Sequence, residues 1–193
     1  MRSENKRISG KAIALIVTAA LLLSITVGVV VAYLMAETPP VTNTFTPVSV
    51  SCEVKESFDA ASNVKSDVKV ENIGDISAYI RASIVVNWVS DSGSVYGGAP
   101  VAGTDYEIEI PLEANGWFQG KDGYYYYKTP VAAGDVTTNL IDTVGPVANA
   151  APDGYTLSVQ ILATAIQSEP AEAVTTAWPA VTVNSDDTLA PIS

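Results

Sequence analysis

The sequence predicts an all-β protein, an antiparallel β-sandwich or jelly roll, preceded by an N-terminal hydrophobic signal or transmembrane helix. Three observations predict it. Apolar and polar residues alternate with period two in segment after segment beyond residue 47. Clusters of Gly, Asn, Asp and Pro punctuate those segments. Only one later stretch, Ser168–Trp178, carries helix-start chemistry.

The first element is the apolar run. From Ala12 to Ala36 there are 25 residues without a charge, enough to cross a hydrocarbon core about 30 Å thick at roughly 1.5 Å per helical residue. Arg2, Lys6, Arg7 and Lys11 precede it against the single acid Glu4, a bias that keeps the N-terminus cytoplasmic and sends the remainder outward. Val30-Val31-Ala32 places small side chains ahead of a cut between Ala32 and Tyr33, as a secretory signal requires. Residues 1–32 are therefore expected to be a cleaved signal peptide, the alternative being an uncleaved anchor touching the membrane only through residues 12–36. On either reading the rest of the chain works outside the cytoplasm.

Residues 33–46, "YLMAETPPVTNTFT", form an extended arm, because Pro39-Pro40 forbids a helix and interrupts strand pairing. Residues 47–193 follow as the sandwich domain. Val48, Val50, Cys52 and Val54 alternate with polar residues, which makes a half-buried strand and places Cys52 on its apolar face. Val64–Glu71 repeats the pattern and ends at the turn residues Asn72-Ile73-Gly74-Asp75. Ile76–Val89 is the longest strand signal; its second half is apolar on both faces, which predicts a central strand covered from two sides. "YGGAPVAGTD" is a surface loop, "YEIEIPL" another strand, and "WFQGKDGYYYYK" a hairpin. Tyr155–Gln167 is the last long strand. Ser168 is the expected cap of the short helix behind it, with Pro170 in the first turn.

Composition closes several functions. There is no histidine, so Ser-His-Asp and Cys-His catalysis and zinc sites of the H-E-x-x-H kind are excluded. Glu107 and Glu109 lie on the outer side of their strand, where acids are simply solvated, and no catalytic, cofactor-binding or metal-ligating residue is expected. Asp91, Asp122, Asp186 and Asp187 sit in turns that match no calcium loop and read as turn chemistry. Cleavage after Ala32 takes four of the ten basic residues and one of the 21 acids, leaving 6 against 20 and a net charge of −14. The six remaining bases are scattered, so nucleic acid is not a partner. With Cys52 alone, no disulfide forms within one chain, and roughly 160 residues must be stabilised by their core. Within Tyr124, Tyr125, Tyr126 and Tyr127, one alternate pair is expected to face the core and the other to form an exposed interaction patch.

The stretches "TVGVVVAYLMAETPPVTNTFTP", "VKVENIGDISAYIRASIVVNW", "GWFQGKDGYYYYKTPVAAGD" and "GYTLSVQILATAIQSEPAEAV" together resemble the TasA/camelysin (CalY) family of exported bacterial proteins. The resemblance spans most of the chain. It implies a secreted jelly-roll subunit of biofilm matrix fibres, found in the extracellular matrix or at the cell surface and released by a signal peptidase of the SipW type. It also implies homo-oligomeric filaments joined by donor-strand complementation. The label of metalloprotease given to camelysin does not transfer to a chain without histidine. In the arm, either Tyr33 and Met35 or Leu34 and Ala36 are expected to alternate into a neighbour's groove, with Val41, Asn43 and Phe45 extending the contact, beside Ile76–Val89 or Tyr155–Gln167. The alternative from a different class is a monomeric, membrane-anchored adhesin that binds through its tyrosine patch.

Overall fold

The computed structural model describes Lys11, Val17, Thr18 and residues 49–192. The apolar run, the Ala32/Tyr33 junction and the whole arm, with its Tyr33, Leu34, Met35, Val41 and Phe45, lie outside the described residues apart from those three positions. Among the described residues no helix is long and apolar enough to cross a membrane.

Among residues 49–192, ten strands and one helix follow in order: β1 (Cys52–Asp59), β2 (Val64–Asn72), β3 (Ala78–Ser90), β4 (Tyr106–Glu109), β5 (Trp117–Gln119), β6 (Tyr125–Tyr127), β7 (Ile141–Pro146), β8 (Tyr155–Gln167), α1 (Ala171–Ala177), β9 (Val181–Val183) and β10 (Leu189–Pro191). The all-β expectation holds. One four-stranded antiparallel sheet runs β1-β2-β7-β4, a second runs β5-β6-β3-β8, and β9 and β10 pair as a hairpin. The longest pairing is β3 with β8, which runs from Ala78↔Gln167 to Ser90↔Tyr155 without a shift.

The two four-stranded sheets share one core because each places its alternate apolar residues toward the other. Val68 and Val70 of β2 and Ile141 and Val144 of β7 meet Ile80 and Trp88 of β3 and Leu157 and Val159 of β8. Trp117, fully buried, fills the β5 end and donates its indole N–H to Thr138 O at 3.1 Å. Cys52 is half-buried beside this core, and burial pushes its thiol pKa up, as expected for a packing residue rather than a reactive one.

A second, smaller cluster lies on the outer face of the β5-β6-β3-β8 sheet. Tyr79 of β3 and Tyr126 of β6 are covered there by Val174 and Trp178 of the α1 segment and by Val181 and Leu189 of the terminal hairpin. This cover lies over the first half of β3, where Ala78, Tyr79 and Ile80 are all buried, and not over the second half as the sequence pattern predicts. The reason is that Tyr79 supplies the large outward ring, whereas Val85 and Val89 are only half-buried. Ser168 does not cap the helix either: Pro170 occupies the N-cap position with no side-chain cap bond, and the Ser168 hydroxyl donates to Ser77 O.

Tyr126 is the centre of this outer cluster. Its ring stacks on Phe118 at 5.5 Å and meets Trp178 edge-on at 5.6 Å, while its hydroxyl donates to Asp122 Oδ2 at 2.6 Å. Burial first, and then the Asp122 carboxylate, push the phenol pKa from 10.0 up to about 12. A raised folded pKa means that the neutral ring stabilises the fold below pH about 10 and that this contribution is lost as pH rises towards about 12. Burial raises the phenols of Tyr79 and Tyr125 as well, in the same direction. Tyr126→Phe is therefore expected to flatten the alkaline fall in stability, read as the urea midpoint against pH. An unchanged slope would assign that fall to the other two rings.

Candidate functional site

Among the described residues the two sheets leave four edges, and the residues on those edges differ sharply. β4 has four residues and carries Glu107 and Glu109, and β5 has only three residues. β1 carries Glu53, Lys55 and Glu56, and its ladder with β2 shifts register between Lys55 and Ser57, near Asp67, whose φ is 55°. Short length, charge and a bulge are the devices by which sheet proteins prevent a further strand from pairing. β8 uses none of them. Its thirteen residues, YTLSVQILATAIQ, contain no charge, no proline and no glycine.

β8 and β1 stand at the same side of the two facing sheets, and a groove runs between them. It widens to about 410 Å³ where Phe58 and Asn63 face Thr156, Leu157 and Ser158. A further stretch of about 340 Å³ follows, where Val54 faces Ile161 and Leu162. Glu56 and Lys65 line both parts on the β1 side. Apolar and polar side chains share its lining, and two of its apolar residues face water, Phe58 at 54% exposure and Leu162 at 57%. One end is fixed by Asn63, whose side-chain amide donates to Leu157 O at 3.0 Å and so ties the β1–β2 turn to β8.

The charges of the groove lie on one wall and are paired. Lys65 Nζ meets Glu56 Oε1 at 2.6 Å and sits 6.0 Å from the Phe58 ring centre, and Lys55 bridges Glu53 at 2.7 Å and Glu71 at 3.0 Å. Those carboxylates hold the Lys55 ammonium pKa above its ordinary value. Pairs this exposed stabilise the fold little. Within the groove lining itself Glu56 and Lys65 cancel one another, and the β8 wall carries no charge at all, while Lys55 with Glu53 and Glu71 leaves one carboxylate in excess outside the lining.

Of the four consecutive tyrosines one alternate pair, Tyr125 and Tyr127, faces the core as the sequence predicts, and the other is covered rather than exposed. Tyr126 is fully buried in the outer cluster with Tyr124 packed beside it, and Tyr125 and Tyr127 pack against the inner core. Tyr124 also lies under Arg81, whose guanidinium carbon is 4.1 Å from its ring centre and 5.0 Å from that of Trp178. No alternate pair forms an exposed patch, because the segment after Gln167 folds back over the face that the patch would occupy. Among the described residues no three His, Cys, Asp or Glu side chains are placed to hold a metal ion. Asp122 and Asp186 are engaged with their own turns, through Tyr126 and Thr188.

Of the two strands expected to flank an acceptor groove, Ile76–Val89 reaches it through Val89 and is paired along its β3 portion with β8, while β6 meets β3 only at Arg81 and Ala82. Tyr155–Gln167 retains a free edge among the described residues. Phe58, Asn63 and Lys65 are groove residues that the sequence did not single out; an aromatic ring four residues after Val54 in a charged strand was the available signal. No protein-family model, no curated protein and no solved structure matches the chain.

Proposed function

We propose that the chain is a structural subunit of extracellular fibres, secreted through residues 1–32 and polymerising by strand addition. The arm of one copy, residues 33–46, lies along β8 in the groove of the next. The observation that carries this reading is the contrast between the described edges: β8 alone is long, uncharged and unbulged, and it borders a groove. Main-chain pairing then supplies affinity, and alternate apolar side chains of the arm enter the groove. Pro39-Pro40 divides the arm into an apolar first half with Tyr33, Leu34 and Met35 and a second half with Val41 and Phe45.

The connectivity supports a jelly roll with one place open. Read around the two sheets, the strands follow 1-2-7-4 and then 5-6-3-8, so that closing the ring would set β8 beside β1. The groove lies at that junction, where an added strand would complete the circuit. A head-to-tail contact of this kind does not close on itself and generates a filament. Cleavage after Ala32 by a peptidase of the SipW type then acts as the switch, because an arm still joined to a membrane helix has no free end to enter a neighbour. The anchored-adhesin alternative has less to rest on, since Tyr126 is fully buried and Tyr124, Tyr125 and Tyr127 are half-buried.

The test is removal of Tyr33–Thr46 from the exported chain, viewed by electron microscopy. Loss of filaments, with the domain still folded, is expected. Filaments of unchanged number and appearance would refute the reading.

A further inference from the structure

The hydrogen bonds of β8 fix which of its backbone groups are open to a further strand. In an antiparallel ladder a pair of residues either exchanges both bonds or turns both sets of groups away, and the two kinds alternate. Ser168 N donates to Ser77 O at 3.1 Å, so that pair is of the first kind. The next pair, Ala78↔Gln167, is of the second, and Ala78 accordingly exchanges both its bonds with Val131 on the side of β3 away from β8, at 3.0 and 2.8 Å. The pairing continues to Ser90↔Tyr155 without a shift, so the odd-numbered residues of β8, from Tyr155 to Gln167, turn their N–H and C=O groups to the free edge. At the Tyr155 end two of those groups are already taken. Tyr155 N donates to Pro152 O at 3.0 Å, and Leu157 O accepts from the Asn63 side-chain amide at 3.0 Å.

Asn63 is held in place for its bond. It has φ 54°, a left-handed conformation that asparagine adopts more readily than most residues. The turn before it is fixed by Asp59, whose Oδ1 accepts from Ala61 N at 3.0 Å and whose Oδ2 accepts from Ser62 Oγ at 2.6 Å. Asn63 Nδ2 therefore stands where the backbone nitrogen of a pairing strand would have to stand to reach Leu157 O, and the two nitrogens exclude one another.

We infer that Asn63 is a register stop: its amide fills the pairing position at Leu157 and confines an added strand to Val159–Gln167. This rests on the strand-addition reading above. The limit belongs to the acceptor and holds for a strand in any register. What it supplies is a fixed end, because a slip of two residues keeps every side chain on its own face and a strand as uniform as β8 sets register only weakly. With one end blocked, each copy halts at the same place on the next, and the repeat along the fibre is constant. Asn63 is thus a positioning residue, acting on where the ladder ends.

The experiment is amide hydrogen exchange on the chain beginning at Tyr33, free and in filaments, and on its Asn63→Gly and Asn63→Asp forms, read residue by residue. Glycine keeps the left-handed backbone and removes the amide, whereas aspartate keeps the shape of the side chain and has no N–H to donate. The urea midpoint shows which forms are folded, so either variant carries the test if the other is lost. In parent filaments the N–H groups of Val159, Ile161, Ala163 and Ala165 should exchange at least about tenfold more slowly than in the free chain, while that of Leu157 is unchanged. In filaments of the variants the slowing should extend to Leu157. Slowing at Leu157 already in the parent, or none there in a folded variant, would overturn the stop and leave strand addition standing. No slowing from Val159 to Ala165 in parent filaments would overturn strand addition along β8 itself.

Discussion

Trp117→Ala is expected to lower the unfolding free energy by about 3–5 kcal/mol, read as a fall in urea midpoint at constant slope. Trp117 is fully buried and belongs to a strand of only three residues, so β5 has little besides this ring to hold it to the core. The ring packs on Tyr127 with centroids 5.2 Å apart, and its N–H satisfies Thr138 O. Alanine would remove the apolar burial, leave a cavity behind it and orphan a carbonyl. Domains of this size have about 5–15 kcal/mol in all, so one change takes a large share. Trp117→Phe separates the contributions: it keeps most of the ring and loses the hydrogen bond, and should cost about 1–2 kcal/mol. If the alanine and phenylalanine forms unfold at the same midpoint, the bond to Thr138 and not the packing holds β5.

Much of the fold was legible where side chains alternate without interruption. β3 and β8 are long and uniform, and they pair over their full length. The hairpin of β5 and β6 follows from its turn: Gly123 adopts φ +84°, and Asp122 Oδ1 accepts from Tyr124 N. β7 was not legible, although it is the central strand between β2 and β4. Its buried residues with the one before it, Leu140, Ile141 and Val144, break period two, and Gly145-Pro146 resembles a turn. The neighbours that make it a strand, Val68 and Ile108, are far away in sequence. The tyrosine patch failed for a related reason. Period two says that alternate rings take opposite faces, but it cannot say that a later segment will cover the outer one, and here α1 and the terminal hairpin do.

The candidate groove divides in the same way. The absence of charge from β8 is visible in thirteen letters, and it is the property that matters most for the site. That β8 is an edge and that β1 is its opposite wall depend on strand order, which no local pattern contains. Acidic composition gives the contrast its physical force. On a surface carrying many more carboxylates than ammonium groups, copies repel one another except where charge is absent or paired, and the groove has one such wall of each kind.

Leu162→Glu follows from that contrast and should have the largest effect on assembly with the least on folding. Leu162 is 57% exposed in the isolated domain, so exchanging it should change stability by no more than about 0.5 kcal/mol. In a filled groove the same side chain is covered by the incoming strand. The leucine then contributes about 1–1.5 kcal/mol of apolar burial, which glutamate forfeits. The carboxylate must in addition be partly desolvated, at about 1–3 kcal/mol. It also stands in a copy whose partners are strongly acidic and whose arm has Glu37 as its one charged side chain. At a factor of ten for every 1.4 kcal/mol, the concentration needed for filaments should rise about a hundredfold. Leu162→Met, nearly equal in volume, should leave it unchanged. Light scattering against protein concentration gives the threshold, and the urea midpoint of each form confirms that the domain is intact. A glutamate form that assembles at the parent threshold would mean that no strand covers Leu162, and the acceptor would have to be sought at an edge other than β8.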